Sequence, residues 1–260
     1  MRPSRAAADL ADMAPESVLL AGAGRAVLLQ LANPAVGHGV ARHSDFAADP
    51  LKRLHATLSY VYALTNGTPA QQKLAKSSVQ RAHLPVKGGS GPGHPAYDAA
   101  DPALQLWVAA TLYDSAMQTY SAVFPALAPD AANTIHRQYG VLGTALGMPA
   151  ELWPSTRADF ADYWNRQLGQ LHVDDTIRAV ARDLLAAQNA PVWIRALMPT
   201  ARFLTKGLLP PSVRELYGFH WSPRQDKALA ATFRAASVLV RITPAKIRHA
   251  PMRHYLRSLG

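Results

Sequence analysis

Six times along this chain a residue with a capping side chain stands directly before a proline: Asn33-Pro34, Asp49-Pro50, Thr68-Pro69, Asp101-Pro102, Ser222-Pro223 and Thr243-Pro244. At a helix start the side-chain oxygen accepts from an orphan backbone N–H, and proline in the first turn gives up a donor that had no partner anyway. Ala- and Leu-rich runs follow these pairs, whereas alternating β-branched stretches are almost absent, so no sheet is expected. The chain reads as all-α, a single globular domain over 1–260, with 1–15 a flexible or loosely packed N-terminus. Three- and four-residue spacing predicts helices near 16–31, 33–46, 49–65, 68–84, 101–124, 130–146, 156–168, 174–188, 191–208 and 223–242. A short turn around 211–217 and a terminal helix from Pro244 complete the expectation. The stretch 87–100 (KGGSGPGHPAYDAA) is the least structured, with five of its first seven residues Gly or Pro, and reads as a flap over a site.

A chain of 260 residues that is 49% hydrophobic and 17% charged can bury a large core. The net charge of +10 raises nucleic acid as a partner, but Lys and Arg are spread thinly with no basic run, so none is expected. The same basic surface permits peripheral membrane association. The absence of cysteine excludes disulfides, iron–sulfur clusters, thiolate-ligated haem and covalent haem attachment. The first residues lack the apolar core of a signal peptide and no long window is free of charges or breakers, so the cytoplasm is the expected location.

Candidate chemistry gathers between Arg53 and His83. On a helix Arg53, Thr57 and Tyr60 share one face, presenting a guanidinium, a hydroxyl and a phenol beside Leu64. His83 closes the next helix, where a short hairpin through Asn66-Gly67 brings it alongside. Haem b needs one neutral imidazole, apolar walls and cations for its propionates. His83 supplies the first, Val79, Leu84 and Val86 the second, and Arg53, Arg81 or Lys87 the third, with Tyr60 a further cofactor-binding candidate. The Ala21-Gly22-Ala23-Gly24 patch fails as a dinucleotide fingerprint because no strand precedes it and Val27 stands where the third glycine belongs. It reads instead as a place where a helix or flat ligand approaches closely. His94, His136, His172, His220, His249 and His254 are assigned to loops or polar helix faces, and His38 with His43 is a minor candidate for a non-haem metal. Zinc-hydrolase spacings, a nucleophile elbow and a phosphate loop are all missing.

The pattern of residues also resembles a known family. It runs through Gly24-Arg25-Ala26, Leu28-Leu29-Gln30, Asn33-Pro34, His43-Ser44-x-Phe46 and Asp49-Pro50-x-x-Arg53-Leu54-x-x-Thr57. It continues with Gly67-Thr68, His83-x-x-Val86-x-Gly88, Tyr97-x-Ala99, Asp101-Pro102-x-Leu104-x-x-Trp107-Val108, Leu146-Gly147-Met148-Pro149, Tyr163-Trp164 and Leu208-Leu209-Pro210-Pro211-x-x-Arg214-Glu215-x-Tyr217-Gly218. In this order it resembles the haem oxygenases that include latex clearing protein, a rubber oxygenase, and the prenyl-chain-cleaving oxygenase of the mycophenolic acid pathway. The resemblance, over about 16–220, implies a globin-like helical core with additional helices, and haem b whose iron is held axially by His83. It implies that Arg53 and Thr57 line the distal side, and that an apolar, isoprenoid-type substrate is cleaved with O₂. Latex clearing proteins carry a lysine directly before the threonine, where this chain has Ala56. They also use a nearby carboxylate as base, where Asn33 to Ser44 offers only His38 and His43. His43 is therefore the candidate that joins Arg53 and Thr57 in handling protons. A second reading stays open, a non-catalytic haem- or lipid-binding helical protein.

Overall fold

A computed structural model describes residues 6–43, 50–91 and 93–260, with the backbone alone at 50–52. The elements are α1 (Leu10–Met13), a 3₁₀ segment (Ser17–Gly22), α2 (Ala23–Ala32), α3 (Pro34–His43), α4 (Pro50–Asn66) and α5 (Pro69–His83). Strands β1 (Lys87–Gly88) and β2 (Tyr97–Asp98) lead to α6 (Pro102–Val123), α7 (Pro129–Tyr139), α8 (Val141–Thr144) and α9 (Arg157–Leu168). Then come α10 (Asp175–Ala186), α11 (Val192–Leu208), α12 (Pro211–Leu216), α13 (Pro223–Ile242), α14 (Ala245–Arg248) and α15 (Ala250–Arg257). The fold is all-α. The capping logic holds at four of the pairs: Asn33 accepts from Ala35 and Val36, Thr68 and Ser222 close capping boxes with Gln71 and Gln225, and Asp101 accepts from Ala103. It fails at Thr243, whose hydroxyl donates back to Leu239 O and caps nothing. The Asp49 cap lies outside the described residues.

Helix α6 is the spine. Trp107, Thr111, Ser115 and Thr119 are buried along it, and α2, the 3₁₀ segment and α13 pack around it. The small residues at the start of α2 make that packing possible. A Cβ on Gly22 would lie 2.7 Å from Thr119 Oγ1, and one on Gly24 would collide with Thr205 Oγ1 of α11. The Ala-Gly-Ala-Gly patch is a helix-packing site. Beside it Arg25, 2% exposed, donates to Leu208 O at 2.7 Å, to Ser115 Oγ at 2.8 Å and to Asp114 Oδ2. Its guanidinium lies over the Trp164 ring, which stacks on Trp107. One residue of α2 thus ties α6, α9 and the end of α11 together.

Several expectations need correction. Residues 6–15 are not loosely packed: Met13 is fully buried, Ala7 N–H donates to Tyr120 OH and Leu10 N–H to Gln138 Oε1. The helix expected over 130–146 breaks at Gly140, where a Cβ would press on Trp153 at 3.0 Å. Residues 211–216 form a helix, and within the expected flap Lys87–Gly88 and Tyr97–Asp98 make an antiparallel ribbon pairing Gly88 with Tyr97 and Lys87 with Asp98. Such a ribbon needs hydrogen-bonded backbone, not β-branched side chains, so composition did not signal it. Gly37 and Gly39 of α3 clear space for Ile177 and the Tyr97 ring. Among the described residues no single helix is long and apolar enough to cross a membrane. The pair Ser17–Ala32 and Pro34–His43 qualifies jointly but bends by 102°.

Candidate active site

Helices α4 and α5 form a hairpin, closed by Gly67 N–H donating to Ala63 O and pinned by Asn66 Nδ2 donating to Ala11 O at 2.9 Å. Arg53 and Thr57, one turn apart on α4, are both half-buried. His83 is the last residue of α5 and is also half-buried. A helix C-terminus favours a charged imidazole, but here two opposing effects win. Burial lowers the His83 pKa below its ordinary value, and the nearby Arg53 charge lowers it further. His83 is therefore a neutral imidazole at pH 7 that senses the Arg53 guanidinium across the hairpin. Burial also draws the Arg53 pKa down, yet a guanidinium starts so high that it stays a cation. Leu54 and Leu84, the sequence neighbours of these two groups, are 36% and 73% exposed, and Arg81 and Lys87 are exposed as well.

Tyr60 departs from the expected arrangement. It is 6% exposed, and its hydroxyl donates to Leu142 O at 2.7 Å. Burial raises its pKa, so the phenol is a neutral bridge from α4 to α8 rather than a group presented beside His83.

His43 also goes elsewhere. At the end of α3 its Nε2 shares a hydrogen bond with Tyr97 OH at 2.9 Å, the ring meeting Tyr97 edge-on. Tyr97 fits against α3 because Gly39 lacks a Cβ, which would sit 3.2 Å from the ring, and against β1 because Gly88 lacks one too. Glycines of the supposed flap thus admit an aromatic side chain. Next to Tyr97, His94 stacks on His38 with centroids 4.9 Å apart and donates from Nδ1 to Pro95 O at 2.9 Å. His38 Nε2–H donates to Asp174 Oδ2 at 2.7 Å. Burial works to raise the Asp174 pKa, but the Ile177 N–H and His38 outweigh it and hold the carboxyl below its usual range.

So the hairpin brings together Arg53, Thr57 and His83, and β1, four residues past His83, joins it to a second group of His43, Tyr97, His94, His38 and Asp174. Reading the sequence missed Asp174. A carboxylate absent from 33–44 is delivered from 136 residues away, where its only local signature is that of the cap that starts α10. His136 was misplaced too. It is 1% exposed inside a box of Tyr113, Trp153 and Phe160, with Nε2–H donating to Pro154 O at 2.8 Å. A non-haem metal at His38 and His43 finds no support, since among the described residues no three His, Asp or Glu side chains are arranged to hold a metal ion.

A cleft of about 420 Å³ opens against the ribbon, lined by Lys87, Gly88, Tyr97 and Asp101. A second of about 530 Å³ lies between Leu64, Val141 and Trp153. Neither is lined by His83 or Arg53.

Residues 12–241 match the family described as ER-bound oxygenase mpaB/B'/rubber oxygenase, catalytic domain. Two mycobacterial proteins, the uncharacterized proteins Mb2261 of Mycobacterium bovis and Rv2237 of Mycobacterium tuberculosis, are each 33% identical over 207 residues. Each alignment covers 77% of this chain and 80% of the relative. No solved structure matches. With its all-helical order, a match from 12 to 241 and relatives 33% identical over most of both chains, the chain belongs to the mpaB/rubber oxygenase catalytic-domain family, an oxidoreductase-type enzyme that works with O₂ on a small molecule.

Proposed function

We propose that this oxygenase holds haem b at the α4–α5 hairpin and acts on an apolar, isoprenoid-type substrate. The observation that carries the reading is the half-buried, neutral imidazole of His83 within the field of a half-buried, permanent cation at Arg53. The residues present fit the group. An iron ligand must be deprotonated, and burial together with the Arg53 charge keeps His83 so without any metal. The exposed Leu84 and Leu54 offer apolar surface to a macrocycle, and Arg53, Arg81 and Lys87 offer cations to its carboxylates. When bound, the haem supplies O₂ binding and activation.

The chain's own groups then have distinct tasks. His83 anchors from the end of α5. Arg53 neutralises a propionate or polarises an oxygen atom nearby, and Thr57, one turn on, donates or accepts one hydrogen bond at the same face. Ala56 leaves that face without the ammonium that latex clearing proteins place there, and offers a methyl group in its stead. Proton handling falls to His43 or to the His38–Asp174 pair. Asp174 fixes the His38 tautomer by accepting from Nε2–H, leaving Nδ1 as the basic nitrogen. The cytoplasm remains the proposed location.

Purified protein titrated with haemin is expected to develop a Soret band, and His83→Ala to lose it while keeping its far-ultraviolet circular dichroism. A folded wild-type chain that leaves haemin in its free spectrum refutes the haem assignment. If haemin binds but the reduced protein forms no oxy complex in air, the chain is a haem carrier, and the catalytic part of the reading fails.

A further inference from the structure

From Lys227 to the end the chain carries seven Lys or Arg and no Asp or Glu; the last acid is Asp226. This segment comprises nearly all of α13 and the whole of α14 and α15. Helix α13 buries Phe233 and Val240 on one side. On the opposite side Ala231, Ala235, Val238, Leu239 and Ile242 form one stripe, by the 100° advance per residue. That stripe is open: Val238, Leu239 and Ile242 are each 59% exposed, and Ile247 of α14 is 62% exposed. Along one shoulder of it Lys227, Arg234 and Arg241 recur every seven residues, and all three are exposed. The packed neighbour α11 leaves Val192, Trp193 and Leu197 exposed as well, at 78%, 66% and 59%.

Large aliphatic side chains left in water need a reason, and a soluble helix normally puts charge there. An exposed apolar stripe with cations on its shoulder, long enough to let their stems snorkel, is the pattern of a helix lying in the headgroup layer of a bilayer. The segment is held rigidly enough to present that face. Arg248 donates twice to Glu16, at 2.9 Å each, and His249 Nε2 approaches the same carboxylate at 3.0 Å. That pairing neutralises Arg248 and leaves the cations of the α13 shoulder available.

We infer that the face of α13 and α14 built from Val238, Leu239, Ile242 and Ile247, with Lys227, Arg234 and Arg241 beside it, docks the protein on an anionic phospholipid surface. Lipid chemistry fits both halves of the face. The aliphatic stripe enters the acyl boundary, and the cation row meets phosphate headgroups; Asp226, the one acid of α13, lies at its start and accepts from Trp221 Nε1–H. The site lies apart from the α4–α5 hairpin, and its readout needs no haem, so it stands or falls separately from the proposed activity.

Flotation of the full chain with phosphatidylcholine vesicles and with mixed phosphatidylcholine–phosphatidylglycerol vesicles tests the inference. Binding is expected to the mixed vesicles only, and to weaken at high salt. Leu239→Gln/Ile242→Gln is expected to abolish flotation. Lys227→Gln/Arg234→Gln/Arg241→Gln is expected to weaken it roughly tenfold or more, each shoulder cation contributing to attraction. Both variants change exposed side chains and should keep the wild-type melting temperature. No flotation of wild type overturns the inference, as does flotation that survives both variants. A vesicle-free dimer lost in Leu239→Gln/Ile242→Gln also overturns it, in favour of self-association.

Discussion

Replacing Arg25 by Met tests whether the Gly24-Arg25-Ala26 motif is structural. The side chains of Arg25 and Asp114 are 3% and 14% exposed, so neither can turn to bulk water when its partner is removed. Arg25→Met keeps the aliphatic stem and its contact with Trp164, but leaves Asp114 buried beside Ser115 with no cation. Breaking such a pair costs about 3–5 kcal/mol, far more than the ~1 kcal/mol of the neutral bond to Leu208 O lost with it. Spread over a chain of this size the loss lowers the melting temperature by ~10 °C.

The pH dependence gives a second readout. Burial already raises the Asp114 pKa, and Arg25 pulls it partly back. Without Arg25 the folded-state pKa rises further above the unfolded value of about 3.9. A carboxyl raised in the folded state lends stability below its unfolded pKa, and that stability is lost as pH rises through the folded pKa. The deficit of Arg25→Met is therefore larger at pH 8 than at pH 5. Urea melts followed by circular dichroism at both pH values, with Asp114→Asn and the double variant closing a cycle, measure it. The double variant should recover a large part of the loss. A cost below about 1 kcal/mol, or the same cost at both pH values, would refute the reasoning, because a buried unpaired carboxylate cannot be that cheap.

Other outcomes are equally specific. Tyr60→Phe should lose about 1 kcal/mol for the bond to Leu142 O and leave haemin affinity unchanged; weaker haemin binding would return Tyr60 to the site. Gly24→Ala should destabilise by about 1–3 kcal/mol through overpacking on Thr205, and Thr205→Ala should relieve most of it in thermal melts; no relief would place the clash elsewhere. Burial lowers the pKa of both His83 and His136. Both therefore stabilise the fold above the ordinary histidine value, and that contribution is lost as pH falls through their lowered values. The acid limb of a stability profile should shift in His136→Phe, and an unshifted limb would show that His136 is not neutral in the fold.

Much of the helical order was legible because its signals are local. A cap and a proline decide where α5, α6 and α13 begin whatever they pack on, and the spacing of Arg53, Thr57 and Tyr60 fixed their common face. Spacing could not say how far along that face the core extends. Tyr60 lies where α8 crosses α4, so its hydroxyl is taken by a carbonyl 82 residues away. His43 was legible as a candidate but not as the partner of Tyr97, and its companions Ser44 and Phe46 lie outside the described residues.

By itself the sequence determined the all-α class and most helix starts, since each depends on residues close in the chain. It also holds the charge asymmetry after Asp226, which comes from the absence of acids there and not from a run of Lys and Arg. Tertiary structure decided what depends on distant elements meeting. It buried Leu10 and Met13 of the first helix, carried Asp174 to His38, closed the aromatic box on His136 and left one face of α13 uncovered. A side chain's chemistry is written in its residue type, but its partners and its share of water are set by whatever the fold lays beside it.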